Sequence, residues 1–252
     1  GVFCMEAMWT RFVPAVRRAR ALVESEALGD LCAFSAELGY PVVYDPKSRF
    51  FDPALGGGAL LDAGVYPLSL ARFFLGPVVE AQALVHRAPS GVDETVVAQL
   101  RHATGALSSL TCSLAQRLSN AATLTGTQGS LTLEAPLYSP TRLVLARGAP
   151  PAAGEGEPAS GWREHPRVVA LRRRFAPALR QILRRERRGE RFDFVGYGYQ
   201  FEAMEVAERV RAGQTESRIM PIDESVEVVE LVEALLRDGR YVAKGATSDK
   251  LD

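Results

Sequence analysis

The stretch VVEAQALVHRAPSGVDETVVAQLRHATGALSSLTCSLAQ, residues 78–116, decides the fold class of this 252-residue chain. It contains three short runs rich in Val, Leu and Thr, at residues 78–87, 94–102 and 106–116. Gly91 and Gly105 stand in the two gaps between these runs. Runs of this length joined by short glycine-containing turns are typical of antiparallel hairpins. The stretch therefore predicts three consecutive antiparallel strands.

The same pattern continues on both sides of this stretch. Further short runs at 121–125 and 130–133 extend the predicted β region to about residue 147, and residues 31–40 read as another strand. Apolar residues at helical spacing predict four helices, at 11–28, 59–75, 198–212 and 223–236. Together these elements predict an α+β fold, an open and mostly antiparallel β-sheet with helices packed on one face.

The composition is that of a globular protein, with 47% hydrophobic residues, 24% charged residues and a net charge of zero. It excludes disordered, collagen-like and disulfide-scaffold classes. No apolar stretch reaches the roughly 18 to 20 uninterrupted residues that a bilayer span requires, so we expect no membrane span. Three widely spaced cysteines favour reduced thiols and a cytoplasmic protein. The chain begins at Gly1 as if in the middle of an element, and we expect a fragment of a longer protein.

An arginine-rich segment at about 163–191 interrupts the even distribution of charge. It holds 11 Arg, no Lys and three Glu, and a proline- and glycine-rich linker at 147–161 precedes it. Apolar residues recur among the arginines at roughly helical spacing, which is compatible with binding to a polyanion or a membrane surface. The alternative is a solvated insertion or an amphipathic surface helix, because charge runs usually form solvated faces.

Most common catalytic and cofactor motifs are absent from the sequence. The three histidines lack zinc-ligand spacing, and there is no Walker loop, GxSxG elbow or GxGxxG fingerprint. We therefore expect no metal site, and the cofactor-binding residues stay unknown. The triplet Gly56-Gly57-Gly58 precedes a predicted helix, where its N–H groups could bind an anionic or polyhydroxylated ligand. A flexible turn into the helix is the alternative.

The pair Asp62 and Tyr66 carries the most chemical information. Four residues apart on a helix, the two side chains share a face and can enter one cleft. A tyrosine is a poor base at neutral pH and a neighbouring carboxylate makes it poorer, so a catalytic pair needs a cation nearby. The chain does not obviously supply that cation. The alternative interpretation is a helix cap and a core tyrosine.

Two longer motifs and six shorter ones favour the catalytic interpretation of Asp62 and Tyr66, because all eight keep the order and spacing of motifs in a known family. The longer ones are EAMWTRFVP at 6–14 and GGGALLDAGVY at 56–66. The shorter ones are GVDETV at 91–96, TCS at 111–113, LSN at 118–120, GTQG at 126–129, SPT at 139–141 and MPIDES at 220–225. These motifs resemble the C-terminal domain of the glucose-fructose oxidoreductase and inositol dehydrogenase family over most of the chain.

The resemblance implies roles for individual residues. It makes Tyr66 the catalytic tyrosine, Asp62 the carboxylate beside it, and Trp9 an aromatic residue of the substrate pocket. Arg11 and Tyr138 are further pocket candidates, and the alternative for Arg11 is a solvated arginine at a helix start. In the family, an N-terminal Rossmann domain binds the nicotinamide cofactor and supplies the lysine that assists the tyrosine. Neither is found in this chain, so the NADP site is expected mostly in a domain outside it.

The resemblance also implies the organisation of the whole. Residues 1–252 would form a substrate-binding and dimerisation domain, the C-terminal half of an oxidoreductase, with a basic insertion at about 163–191. The complete enzyme would use NADP to oxidise a trans-dihydrodiol or an aldose resembling D-xylose, and this chain alone would be inactive. A homodimer through the sheet is expected, and a nucleic-acid partner is not. The alternative is a non-enzymatic dimeric scaffold or binding protein whose basic segment binds a polyanion.

Overall fold

Nine strands hydrogen-bond into one sheet in this computed structural model, which describes residues 1–148 and 187–243. The strands are β1 (Leu31–Gly39), β2 (Val78–Arg87), β3 (Asp93–His102), β4 (Leu107–Ser113), β5 (Ala122–Gly126), β6 (Gly129–Leu133), β7 (Arg142–Arg147), β8 (Arg187–Arg191) and β9 (Arg240–Val242). Their order across the sheet is β8-β7-β6-β5-β1-β4-β3-β2-β9.

The sheet is antiparallel except at its centre, where β1 runs parallel to β4 and antiparallel to β5. Ala36 of β1, for example, is paired with Leu110 on one side and with Ala122 on the other. The two antiparallel halves of the sheet therefore meet only across β1. The α+β fold with an open, mostly antiparallel sheet, which the sequence predicted, is confirmed.

Four α-helices and three short helical turns accompany the sheet in the described residues. The helices are α1 (Pro14–Glu24), α2 (Val65–Leu75), α3 (Tyr199–Arg211) and α4 (Ile222–Asp238). Two 3₁₀ turns lie at Trp9–Phe12 and Pro53–Leu55, and one π-helical turn, Leu60–Gly64, leads into α2.

The bounds of α1 differ from the prediction of a helix at 11–28. Pro14 occupies the first turn of the helix, where its missing N–H is no loss. At the other end, Glu26 takes a positive φ of 56°, which breaks the helical path before Gly29 is reached. The predicted helix was therefore right in its centre and too long at both ends.

The core lies on the face of the sheet that the helices cover. Alternate residues of β1 are buried there, with Phe34 and Leu38 only 2% and 1% exposed. Helix α2 packs against β1, α1 against β6 and β7, and α4 against β2. The opposite face carries exposed apolar side chains, among them Leu84 and Leu107. Packing on one face fits the period-two alternation of half-buried strands.

One described helical run, Pro53–Leu75, is long and apolar enough by composition to cross a membrane. In its apolar window 67% of the residues are buried inside the domain. Packing in the core explains this run, as it does for the central helix of many globular domains.

Most of the arginine-rich segment, and of the linker before it, lies outside the described residues. The last five residues of the segment form the edge strand β8, which pairs with β7. Glu190 of β8 accepts hydrogen bonds from Arg18 on α1, with an Nε–Oε2 distance of 2.8 Å. This end of the segment is thus part of the sheet, and the role of the remainder as an insertion stays a prediction.

Candidate functional site

An open cavity of about 620 Å³ lies where β1 ends, between the π-helical turn and the start of α3. The side chains around it come from seven separate stretches of the chain. They include Trp9, Tyr40, Arg49, Asp62, Tyr66, Arg117, Asn120, Tyr138, Tyr197 and Tyr199. Four of the five site residues singled out from the sequence, Trp9, Asp62, Tyr66 and Tyr138, therefore meet in this cleft. Arg11 does not line it.

Tyr66 presents its hydroxyl in the cleft, where the oxygen accepts a hydrogen bond from Trp9 Nε1 at 3.3 Å. Partial burial raises the pKa of Tyr66, and the negative charge of Asp62 raises it further. The hydrogen bond from Trp9 and the positive charge of Arg49 lower the same pKa but do not reverse the shift. Tyr66 is therefore a neutral phenol at pH 7, ready to donate a proton.

Asp62 lies between two donors that come from outside its own helix. Its Oδ1 accepts a hydrogen bond from Arg49 Nη1 at 2.6 Å, and its Oδ2 accepts one from the Tyr40 hydroxyl. The carboxylate is largely shielded, since its side chain is 14% exposed. Arg49 thus supplies a cation beside the Asp62–Tyr66 pair. The need for such a cation was expected, but the sequence did not indicate which residue provides it.

Tyr40 also lines the cleft, although no pattern in the sequence singles it out. Burial raises the pKa of Tyr40, and the hydrogen bond to the Asp62 carboxylate raises it further. Its hydroxyl therefore stays protonated and donates a hydrogen bond to Asp62. Tyr40 and Arg49 precede Asp62 by 22 and 13 residues, so no helical or strand spacing connects them to it.

Aromatic rings form one wall of the cleft. The Trp9 ring is 6% exposed and lies 4.5 Å from the Tyr199 ring and 5.9 Å from the Tyr138 ring, centroid to centroid. Tyr197 and Tyr199 remain 70% and 57% exposed at the mouth. Sequence reasoning missed both, although the run Tyr197-Gly198-Tyr199 is a detectable signal. A wall of this kind offers flat apolar faces together with phenolic hydroxyls.

Arg11 is fully buried behind this wall. Its guanidinium donates to the Ser69 hydroxyl at 2.8 Å, to the Ile219 carbonyl at 2.9 Å and to the Glu224 carboxylate at 2.7 Å. Burial lowers the pKa of Arg11, and the charge of Glu224 opposes that effect. The side chain joins the Trp9 turn to α2 and α4, and it is neither solvated nor in the cleft.

The glycine triplet before α2 does not offer N–H groups to a ligand. The N–H groups of Gly56, Gly57 and Gly58 donate to the carbonyls of Pro53, Asp52 and Phe50 respectively. The N–H of Leu60 donates to the Asp93 carboxylate at 2.6 Å. The Asp93 carboxylate thus occupies the start of this helical run. The interpretation of the glycine triplet as a ligand-binding site is wrong, because its N–H groups are already bonded.

The structure also shows why the helical run begins there. Gly58 has a φ of +131°, and a Cβ at this position would lie 2.1 Å from Asp93 Oδ1. Asp93 is 2% exposed, and burial raises its pKa, while hydrogen bonds from backbone N–H groups lower it. A glycine is therefore required for the carboxylate to reach the helix start, which in turn places Asp62 and Tyr66 in the cleft.

No group of three or more His, Cys, Asp or Glu side chains suited to a metal ion occurs in residues 1–148 and 187–243. The glycine triplet before α2 does not fit the diphosphate of a dinucleotide, because its N–H groups are occupied by backbone carbonyls, as described above. The open mouth beside Tyr66, by contrast, leaves room for a ring to approach the hydroxyl.

The comparison with known sequences gives one family. The GFO/IDH/MocA C-terminal domain family matches residues 16–132. Trans-1,2-dihydrobenzene-1,2-diol dehydrogenase from Bos taurus is 34% identical over 236 residues, covering 92% of this chain and 61% of that protein. The Homo sapiens protein of that name is 33% identical over 234 residues, covering 92% and 60%. The chain thus spans about 61% of the length of these curated relatives.

Solved structures share the fold. An aldose-aldose oxidoreductase from Caulobacter crescentus, complexed with glycerol, superposes with a TM-score of 0.71 at 21% identity, covering 95% of this chain and 63% of that one. KijD10, a 3-ketoreductase from Actinomadura kijaniata in complex with NADP and TDP-benzene, gives 0.65 at 20% identity, covering 92% and 61%. At these identities the similarity shows the fold alone.

Proposed function

This chain belongs to the GFO/IDH/MocA family of oxidoreductases, and from that premise we propose that its cleft binds the substrate of an NADP-dependent dehydrogenase that oxidises a CH–OH group. The observation that carries the proposal is the Tyr66 hydroxyl in an aromatic cleft, held by Trp9 and set beside the Asp62–Arg49 pair. A phenol held in this way is suited to exchange a proton with a substrate hydroxyl.

Tyr66 is the general acid and base of the proposed reaction. In the reduction direction the neutral phenol donates its proton to the carbonyl oxygen. In the oxidation direction the phenolate, which the cationic lysine expected on another domain would help to form, accepts the proton of the substrate hydroxyl. Asp62 raises the pKa of Tyr66, and therefore favours the donor form. Arg49 offsets this effect by pairing with the carboxylate, and Tyr40 fixes the orientation of that carboxylate from the other side.

The cofactor site is proposed to lie mostly on another domain, because the family resemblance places it there and the glycine triplet of this chain offers no free N–H groups to a diphosphate. A bound nicotinamide would accept the hydride that leaves the carbinol carbon. This chain's own part is to hold the substrate ring and move the hydroxyl proton. The chain alone is therefore proposed to be inactive. The complete protein is proposed to be cytoplasmic, on the grounds of its few, widely spaced cysteines.

The proposed substrate is a trans-dihydrodiol or an aldose resembling D-xylose. Support comes from the names of the curated relatives and from the aromatic wall, since the faces of Trp9, Tyr138 and Tyr199 can pack against the apolar face of a small ring. Arg11 enters as a positioning residue rather than a pocket residue, because its guanidinium secures the turn that carries Trp9.

The first test is Tyr66→Phe in the natural protein, assayed with NADP and a dihydrodiol or aldose. Removing the hydroxyl removes the proton acceptor, so kcat should fall about 10²- to 10⁴-fold while substrate binding persists. Trp9→Ala serves as the matched variant, since it should weaken substrate binding instead. Near-normal kcat in Tyr66→Phe would contradict the assignment.

The proposed homodimer forms through the face of the sheet that the helices leave open. That face presents Leu84, Val97 and Leu107, with exposed fractions of 81%, 42% and 51%. Leu84 and Val97 are paired across β2 and β3, whereas Leu107 of β4 lies further along the sheet, opposite Arg101. Exposed apolar side chains on one surface can mark an interface. The alternative of a non-enzymatic scaffold would use the same surface, and its basic segment lies mostly outside the described residues.

A further inference from the structure

A second cavity, of about 490 Å³, lies away from the catalytic cleft and is rich in arginine. It is lined by Arg17 and Arg20 of α1, Arg72 of α2 and Arg218 of the loop before α4, together with the ring of Phe73. Arg17 and Arg20 are three residues apart on α1 and so share a face of that helix. Three separate elements thus bring guanidinium groups to one concave surface, which we call the arginine groove.

The charges of the groove are only partly balanced. Arg20 pairs with Glu24 at 2.8 Å, and Arg72 pairs with Glu227 at 2.6 Å and with Glu224 at 3.7 Å. Arg17 and Arg218 are exposed and make no ion pair with any residue that the structure describes. Two positive charges therefore remain available at its rim.

Positive charge also accumulates behind the groove. The buried Arg11 lies there, and the charges of Arg72 and Arg20 lower its pKa, acting in the same direction as burial. Glu224, which is shared between Arg11 and Arg72, is the acidic partner on that side. An anion in the groove would relieve the repulsion among these like charges.

The end of α2 works against an anion, because helix C-termini carry partial negative charge. Arg20 reduces this effect, since it donates a hydrogen bond to the Phe73 carbonyl in the last turn of that helix. The Arg20 guanidinium also lies 5.1 Å from the Phe73 ring centroid, so an aromatic face holds its planar group in place. The groove thus presents an arginine whose orientation is fixed by the protein.

We infer that the arginine groove binds the phosphoryl group of a small organic phosphate, at a site distinct from the catalytic cleft. Guanidinium groups match the geometry of phosphate oxygens and form charge-assisted hydrogen bonds in pairs. The half-buried Phe73 ring lines the same cavity and leaves an apolar edge beside the guanidinium groups. This site does not depend on the proposed oxidoreductase activity.

The test is isothermal titration calorimetry of the full chain with inorganic phosphate and with glycerol phosphate. Both probes should bind, and the double variant Arg17→Gln/Arg218→Gln should bind each at least about tenfold more weakly, the loss of one or two charge-assisted contacts. Arg17→Lys/Arg218→Lys should recover part of the affinity, because it restores the charge without the planar fork.

Two control variants make the test specific. Arg211→Gln removes an exposed arginine outside the groove, and Tyr66→Phe alters the cleft; both should leave phosphate binding unchanged. The inference is overturned if neither probe binds, or if the double variant binds as well as the unaltered chain. It is also overturned if Arg211→Gln weakens binding equally, since binding would then reflect diffuse charge, or if Tyr66→Phe abolishes it.

Discussion

At the scale of single residues, the cleft is a balance of charges around one phenol. Asp62 and burial hold the Tyr66 proton in place, whereas Trp9 and Arg49 help it to leave. Arg49 donates a hydrogen bond to Asp62, and its positive charge offsets the effect of that carboxylate on the pKa of Tyr66. The chemistry of Tyr66 therefore depends on residues that do not touch its hydroxyl.

Asp62→Asn should lower the pKa of Tyr66 relative to the unaltered chain, because a charge that opposes the phenolate is removed. The measurement is the ultraviolet titration of tyrosinate. The contribution of Tyr66 is isolated in each protein by subtracting the titration of the same protein with Tyr66→Phe added. Asp238→Asn, at the exposed end of α4 and outside the cleft, should leave the titration unchanged. A higher pKa in Asp62→Asn would contradict this account.

His102 makes the stability of the fold sensitive to pH. It is 1% exposed, its Nδ1 lies 2.8 Å from the Gly76 carbonyl and its Nε2 2.7 Å from the Ser108 hydroxyl, and burial lowers its pKa. The folded state therefore takes up a proton only at a lower pH than the unfolded state does. Its contribution to stability is full above about pH 6.5, the ordinary histidine value, and is lost as the pH falls below that value.

Urea unfolding between about pH 5 and 7.5 should therefore show a free energy of unfolding that falls with decreasing pH, and His102→Gln should flatten that dependence. His86→Gln, at an exposed position, should not change it. Comparing slopes between variants cancels the contribution of Asp93, whose raised pKa acts with the opposite sign. An unchanged slope in His102→Gln would show that this histidine does not control the pH dependence.

The cleft could be predicted from sequence only where its residues lie in local motifs. Trp9, Asp62 and Tyr66 stand in two contiguous motifs, and the helical spacing of the last two already placed them on one face. Tyr40 and Arg49 come from the end of a strand and from a loop, and their contact with Asp62 is set by the path of the chain in three dimensions. Pairing of this kind leaves no periodic trace in the sequence.

At the scale of elements, the helical run that carries the site depends on a contact between Gly58 and a strand. The Asp93 carboxylate at the start of β3 satisfies the N–H of Leu60, so the sheet fixes where the run begins. Further along, a Cβ on Gly64 would meet Leu60 Cδ1 at 2.6 Å and Cys112 Sγ at 3.0 Å. The π-helical turn thus packs so closely against β4 that a side chain at Gly64 would require Leu60 and Cys112 to shift.

Gly58→Ala should destabilise the fold by roughly 3 kcal/mol or more, through backbone strain at positive φ and loss of the charged hydrogen bond from Leu60 to Asp93. Gly56→Ala is the matched control, because Gly56 also has a positive φ of 72° but no atom within 4 Å of the added Cβ. Its cost should be only the strain, about 1–2 kcal/mol. Chemical denaturation of both variants measures the difference, and equal losses would remove the role assigned to Asp93.

Element types were predictable to the extent that one local signal determined them. The glycine turns and the Val-, Leu- and Thr-rich runs located β2 and β3, whereas the start of α1 was predicted at residue 11 and lies at Pro14. The third run was predicted to reach residue 116, but β4 ends at Ser113, where the chain leaves the sheet. The π-helical turn was missed, since the close approach of Gly64 to β4 is a tertiary contact.

At the scale of the whole molecule, the sheet has one covered and one open face. The open face carries the apolar side chains of Leu84, Val97 and Leu107 among polar neighbours such as Gln82 and Gln99, whose side chains hydrogen-bond at 3.0 Å. Burying it against a second copy would remove these apolar groups from water. Composition could not reveal this face, because the same alternation is expected of any half-exposed sheet.

Leu84→Glu should convert the proposed homodimer to a monomer, because it places a charge beside Val97 on the open face. Analytical ultracentrifugation across a concentration series gives the molecular mass of both proteins. Val2→Glu is a suitable control, since Val2 is 86% exposed but lies outside the sheet. A monomeric unaltered chain, or a Leu84→Glu chain that stays dimeric, would exclude this surface as the interface.

The position of β1 has a consequence for how the molecule is made. This strand is synthesised before either of its neighbours, yet both of them, β4 and β5, emerge much later in translation. Until then both backbone edges of β1 lack their strand partners, although α2, whose Phe74 ring lies 6.1 Å from the Phe34 ring, precedes them in the chain. Such long-range pairings form slowly, because loop closure must be completed before they gain any contact energy. The strand at the centre of the finished sheet is therefore synthesised long before either of its edges can be paired.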